Sequence, residues 1–161
     1  MATRSEELQR LIQLYKSETG EKAVDMDLVA EWAIRKGVST PKPKTAKELL
    51  SAQFAQAARE EHRKDPTTGW SYRANHALRV AKKDGTQFTL WVDIEEATRP
   101  QMHMSLTNRR QQMIGDGTQL KIDEKIWNAR NPNEEPLQMV MDFTDDVEER
   151  LHSPGFDAKA A

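Results

Sequence analysis

A tight turn, Asp84-Gly85, lies between two runs of residues in which apolar and polar side chains alternate. The run before the turn spans residues 76–82, and the run after it spans residues 87–94. Asp-Gly between such runs is typical of a hairpin, because both central residues of the tight turn must tolerate positive φ. The pattern therefore predicts an antiparallel β-hairpin, which constrains the fold more than any other part of the sequence.

Three segments before the hairpin have the apolar spacing of amphipathic helices, with polar caps at their starts and glycine or turn residues at their ends. They cover residues 5–17, 25–36 and 45–64. Residues 38–45 contain two prolines and two lysines, which favour an extended linker before the third helix. Three helices followed by a hairpin is the element order of a winged-helix module, so we expect a winged-helix-like arrangement with a C-terminal extension.

The chain after the hairpin has the pattern of a long helix, a strand and a short helix. Thr98 caps a stretch whose apolar positions recur at steps of four and seven. Gly115 and Gly117 interrupt that face, which predicts a bent or broken helix. Residues 101–107 also alternate, so helix and strand both stay open there. Residues 137–143 alternate as a strand that can join the hairpin as a third strand, and a capped short helix follows.

These elements predict an α+β fold. The N-terminal three-helix segment occupies residues 1–69. Residues 70–151 hold the antiparallel hairpin with its third strand, the long bent helix packed on the sheet, and the short helix. We expect both parts to form one compact domain, because 161 residues suit a single domain with a small extension. Residues 152–161 are expected to be a disordered tail.

Composition narrows the classes of function. Cysteine is absent, which excludes disulfides, thiolate metal sites and thiol nucleophiles. No apolar run has the length of a bilayer span and the first residues are too polar for a signal peptide, so we expect a cytoplasmic protein without a membrane partner. The net charge of −2 divides into +4 over residues 1–92 and −6 over residues 93–161. This division suits one surface for a polyanion and another for a protein partner.

A nucleic-acid interface is the function that the element order favours. In a winged-helix arrangement the third helix enters the major groove and the hairpin contacts the flanking backbone. Gln and Arg on that helix can read base edges, and lysines in the linker and at the hairpin tip can contact phosphates. The predicted nucleic-acid-binding residues are Lys42, Lys44, Gln56, Arg59, Arg63, Arg79, Lys82 and Lys83. An ordinary solvated helix face and a charged turn are the alternative interpretation.

Carboxylates after the hairpin support an enzymatic alternative. If Asp93 and Asp116 converge, they can hold a divalent metal for phosphodiester hydrolysis, with Lys121 activating water. The spacing of a nuclease motif is missing, so we assign no catalytic residue, metal ligand or cofactor. His76 shares its strand face with apolar neighbours, which predicts a hydrogen-bonded core histidine rather than a catalyst.

We therefore expect a non-enzymatic binding module. Its helical half and hairpin would contact DNA or RNA, and its acidic half would contact a protein partner or form a homodimer. A protein-only adaptor or regulator is the first alternative, and a metal-dependent phosphodiesterase is the second.

Overall fold

The computed structural model describes residues 2–156, and the chain forms two compact units, residues 1–46 and 47–161. The described residues contain five α-helices and two separate two-stranded antiparallel sheets, so the fold is α+β as predicted. The elements in chain order are α1 (Arg4–Thr19), α2 (Met26–Arg35), α3 (Ala46–Glu60), β1 (His62–Lys64), β2 (Ser71–Arg73), β3 (Asn75–Ala81), β4 (Gln87–Asp93), α4 (Arg99–Arg130) and α5 (Thr144–His152).

Two parts of the predicted domain organisation stay predictions. Whether residues 1–69 and 70–151 behave as one domain is not decided by the element order. The predicted disordered tail begins at His152, which is the last residue of α5. Its residues 157–161 lie outside the described part of the chain.

In the first unit, α1 and α2 pack around a small core formed by Tyr15, Val29 and Trp32. The two aromatic rings meet edge to face, with their centroids 5.6 Å apart. The indole Nε1 of Trp32 donates a hydrogen bond of 3.0 Å to Glu18, whose carboxylate also binds Lys36 at 3.2 Å. One aromatic contact and one polar cluster therefore hold together two helices that are too short to be stable alone.

In the second unit, β3 and β4 form the predicted hairpin, with Asn75 opposite Asp93 at its open end. The turn is longer than two residues, because the amide of Lys82 donates to the carbonyl of Thr86 at 2.8 Å. Gly85 has a φ of +84°, and no residue other than glycine has a positive φ in the described chain. In this longer turn the glycine alone has the left-handed conformation, so the tolerance for positive φ that was required of both turn residues is used only at Gly85.

The β1–β2 hairpin, which lies between α3 and β3, has no counterpart among the predicted elements. The third helix was expected to reach residue 64, whereas α3 ends at Glu60. Arg63 therefore lies on a strand, which corrects its assignment to the third helix. Its guanidinium binds both carboxylate oxygens of Asp93 at 2.9 and 2.5 Å. This contact between distant parts of the sequence favours a strand over a further helical turn.

α4 is one continuous helix, so the predicted break at its glycines is wrong and residues 101–107 are helical. Thr98 caps its start as predicted, and Gln101 completes a capping box that was not predicted. Gly117 has a packing role instead, because a Cβ built there would lie 2.7 Å from Cε of Met141. The missing side chain lets the C-terminal segment approach the helix closely.

Residues 137–143 have no regular secondary structure, so the predicted third strand is wrong. Side chains of α4 take the place of a neighbouring strand. Asn128 accepts a hydrogen bond from the amide of Leu137 and donates one to its carbonyl, each at 2.9 Å. The carboxylate of Glu124 accepts from the amide of Met139 at 2.7 Å. Backbone groups of Leu137 and Met139 therefore form hydrogen bonds with side chains of a helix rather than with a neighbouring strand.

Candidate anion-binding site

A pocket of about 240 Å³ opens in the second unit where the β3–β4 hairpin, α3 and α4 meet. Its charged lining is entirely basic, with arginines from four different elements and no aspartate or glutamate. The arginines are Arg59 on α3, Arg73 on β2, Arg79 on β3 and Arg109 on α4. We call this feature the arginine pocket.

The strand register places part of the pocket wall on one face of the hairpin. Ala77 lies opposite Trp91, and Arg79 lies opposite Thr89. Side chains two residues apart on a strand point to the same face, so Asn75 joins them. A small alanine beside the tryptophan leaves space on this face, and polar groups surround that space.

α4 supplies a second wall as a single polar stripe, and it meets the other face of the hairpin, on which His76 lies. Ser105, Asn108, Arg109 and Gln112 line the pocket, and their spacing places them on one side of the helix. Such a stripe is unusual on the side of a helix that packs against a sheet, where apolar residues are expected.

His76 and Ser105 form the buried floor of the pocket. Nδ1 of His76 lies 3.1 Å from Oγ of Ser105, and both side chains are buried, at 7% and 2% exposure. Burial lowers the pKa of His76 below its ordinary value, and the positive charge of Arg109 lowers it further. A neutral ring whose Nδ1 carries no proton can accept a hydrogen bond from the serine hydroxyl. The predicted hydrogen-bonded core histidine is therefore confirmed, and the bond joins β3 to α4.

The four arginines form no ion pair with any carboxylate in residues 2–156. Arg59 instead lies over the ring of Trp91, with its guanidinium carbon 5.4 Å from the centroid. Partial burial, and then the charge of Arg73, lower the pKa of Arg109. Arg109 nevertheless keeps more than a third of its surface accessible, and guanidinium groups stay charged at any physiological pH. The pocket therefore concentrates positive charge without an internal counterion.

Two of the predicted nucleic-acid-binding residues lie in the pocket, namely Arg59 and Arg79. Gln56 is on α3 and donates to Glu60 at 2.5 Å, and Arg63 is engaged by Asp93. Lys82 lies over the ring of Phe88 near the hairpin turn. The remaining predicted residues lie outside the pocket lining: Lys83 in the turn, and Lys42 and Lys44 in the first unit.

Arg73 and Arg109 were not among the predicted residues. The polar stripe on α4, at spacings of three, four and seven, is a sequence signal that could have identified Arg109. No comparable signal exists for Arg73, because β2 has only three residues and was not predicted.

The phosphodiesterase alternative needs Asp93 and Asp116 to converge on one metal ion, but Asp93 is bound by other groups of the protein. The guanidinium of Arg63 and then the amide of Glu95 lower the pKa of Asp93 by binding its carboxylate. Asp116 lies in the middle of α4. Within residues 2–156, no group of three or more histidine, aspartate or glutamate side chains is placed to hold a metal ion.

No protein-family model, curated protein or solved structure matches this chain. Among the helices of residues 2–156, none combines the length and the apolar character needed to cross a membrane.

Proposed function

We propose that residues 47–161 bind single-stranded nucleic acid, with a backbone phosphate held in the arginine pocket. The observation that supports this proposal most is the set of four guanidinium groups around one recess that has no carboxylate. A cluster of like charges without a structural partner is typical of a ligand site rather than of a fold-stabilising network.

Phosphate chemistry fits this arrangement. Guanidinium groups donate paired, charge-assisted hydrogen bonds that match the oxygens of a phosphate. Because the charge of Arg73 already disfavours the charged form of Arg109, an anion between them would relieve their repulsion. The ligand would then contribute the counterion that the protein itself lacks.

The other lining groups favour a nucleic acid over a free phosphate. The guanidinium of Arg59 lies over the indole of Trp91, and the outer face of that guanidinium can stack on a base. The side-chain amides of Asn108 and Gln112 can donate to and accept from base edges. A recess of about 240 Å³ admits a phosphate with an attached sugar or base but not a duplex. A single strand is therefore the substrate class that we propose.

This proposal moves the centre of the interface away from the turn of the hairpin. The sequence-based hypothesis placed phosphate contacts at Lys82 and Lys83, with base reading on the third helix. Arg59 and Arg79 are common to both hypotheses. The difference is testable, because the pocket and the turn can be altered separately.

The experiment is fluorescence anisotropy of a labelled single-stranded oligonucleotide at several salt concentrations. Neutralisation of one phosphate in the pocket predicts a slope of about −0.7 in log affinity against log salt, so affinity should fall about 2.6-fold between 50 and 200 mM salt. Arg109→Gln should weaken binding about tenfold or more at low salt, because it removes a charge-assisted hydrogen bond to that phosphate. Arg99→Gln is the matched control, because it removes one arginine from the same helix outside the pocket.

Three outcomes would contradict the proposal. Equal effects of Arg109→Gln and Arg99→Gln would show only a loss of net charge. A larger loss with Lys82→Gln and Lys83→Gln than with the pocket variants would return the interface to the hairpin turn. Absence of binding at low salt would remove nucleic acid as a ligand and leave the protein-only adaptor as the working hypothesis.

A further inference from the structure

α4 and the C-terminal residues 141–148 enclose an apolar groove of about 950 Å³ in the second unit, separate from the arginine pocket. Its apolar lining residues are Met113, Ile114, Ile122, Met141, Phe143 and Val147. Met113 is 61% exposed, Ile122 48% and Val147 50%. Large apolar side chains that are this exposed and contiguous mark a surface that another molecule covers.

α4 as a whole is poorly covered by its own chain. Of its 32 residues, only Ser105, Gly117 and Glu124 are buried, and none of these has a large apolar side chain. α5, which forms part of the opposite wall, has no buried residue. A helix of this length depends on burial of an apolar face for its stability.

The accessible area of the chain gives a scale for the missing contact. The chain exposes 13,713 Å². Two separate compact bodies with the sizes of the two units would together expose about 9,700 Å². The difference, about 4,000 Å², is spread over both units, and an obligate interface would cover roughly 1,000–2,500 Å² of it per partner.

The charges beside the groove identify the occupant. The α4 wall carries Arg110, Lys125 and Lys121, of which Lys121 is already paired with Glu124, whereas the opposite wall carries Asp142 and Glu148. No ion pair joins these walls within residues 2–156. A two-fold axis would bring the basic wall of one copy against the acidic wall of the other, and would bring the two apolar floors together. Such self-complementarity is what an isologous dimer requires.

We propose that the apolar groove is the interface of a homodimer. The first experiment is sedimentation equilibrium of the full chain between about 1 and 100 μM, since dimerisation depends on concentration. The expected mass is twice the 18.5 kDa of one chain. A mass of 18.5 kDa at the highest concentration would overturn the proposal.

An apolar-to-charged substitution locates the interface. Met113→Glu should raise the dissociation constant of the dimer by at least about 30-fold, as expected at a buried interface position. Leu50→Glu is the matched control, because Leu50 is a similarly exposed apolar residue of the same unit, 52% exposed, that lies outside the groove. Circular dichroism of both variants verifies that the helices still form. Equal dissociation constants for the two variants would place the interface elsewhere.

A charge exchange tests the pairing of the walls between copies. Lys125→Glu and Glu148→Lys should each weaken dimerisation, because each places like charges across the axis. An equimolar mixture of the two variants should form heterodimers, since both contacts regain opposite charges. If only the double variant within one chain restores the dimer, the walls face each other within a protomer and the two-fold arrangement is wrong.

Discussion

Replacing Ser105 with alanine tests whether one buried hydrogen bond joins the hairpin to α4. The substitution removes the hydroxyl that lies 3.1 Å from Nδ1 of His76, at a site with 2% exposure where water cannot readily replace it. A buried acceptor left without a partner costs about 1–3 kcal/mol. Alanine recovers about 0.5 kcal/mol through its higher helix propensity, so the net loss should be about 0.5–2.5 kcal/mol.

Ser51→Ala is the matched control for this measurement. Ser51 is an exposed residue inside α3, so its replacement carries the same gain in helix propensity without loss of a buried contact. The difference between the two variants therefore isolates the full 1–3 kcal/mol of the hydrogen bond. Native-state hydrogen exchange of amides in β3 and β4 is the suitable assay, because it reports on the second unit alone. That difference corresponds to exchange about 5- to 150-fold faster in Ser105→Ala than in Ser51→Ala.

A second substitution distinguishes a lost hydrogen bond from general disruption. If the cost comes from the unsatisfied nitrogen, then His76→Leu combined with Ser105→Ala should exchange more slowly than the product of the single effects predicts. Equal exchange rates for Ser105→Ala and Ser51→Ala would refute the reasoning. So would strictly additive effects in the double variant.

Two further predictions concern the buried His76 ring and the close approach of Met141 to Gly117. Lowering the pH from 7 toward 5 should reduce the protection of amides in β3 and β4, which is the intrinsic exchange rate at each pH divided by the observed rate, because the pKa of His76 is lower in the folded state than its ordinary 6.5, so unfolding takes up a proton; His76→Leu should remove this dependence. Gly117→Leu should expose residues 131–143 to faster limited proteolysis, because the new side chain meets Met141, and adding Met141→Ala should slow the cleavage again.

The parts of the fold that depend on neighbouring residues could be predicted from the sequence. The hairpin follows from its alternation and from Gly85, which has the positive φ that the turn needs. The start of α4 follows from a capping box in which Thr98 and Gln101 bond to each other's backbone. In both cases the deciding contacts span a few residues, so the local sequence contains them.

The parts that failed depend on contacts between distant residues. The third helix ends at Glu60, and Arg63 binds Asp93 from a strand; the sequence near either residue does not indicate this pair. Residues 137–143 have the alternation of a strand, but Asn128 and Glu124 satisfy part of their backbone from α4. Propensity is a weak guide where such tertiary contacts decide the conformation.

The candidate site was predictable only in part, for the same reason. Charge alone identified Arg59 and Arg79, which lie on exposed faces of predicted elements. Arg109 became apparent only when α4 was placed against β3, because a polar stripe on an isolated helix usually faces solvent. The pocket is therefore a product of the packing, in which the Ser105–His76 bond brings the stripe against the hairpin.

A last prediction, which rests on the proposed function, concerns the effect of the pocket charges on the buried His76. Burial lowers the pKa of His76 most, the charges of Arg109 and Arg73 lower it further, and a hydrogen bond to the backbone of Arg73 opposes them. A phosphate bound between these arginines would offset their charge, so the pKa of His76 should rise when an oligonucleotide binds. NMR titration of the His76 ring with and without the oligonucleotide measures this shift. An unchanged pKa in the saturated complex would mean that the phosphate lies away from the two arginines, because charges this close to a buried ring cannot be neutralised without affecting it.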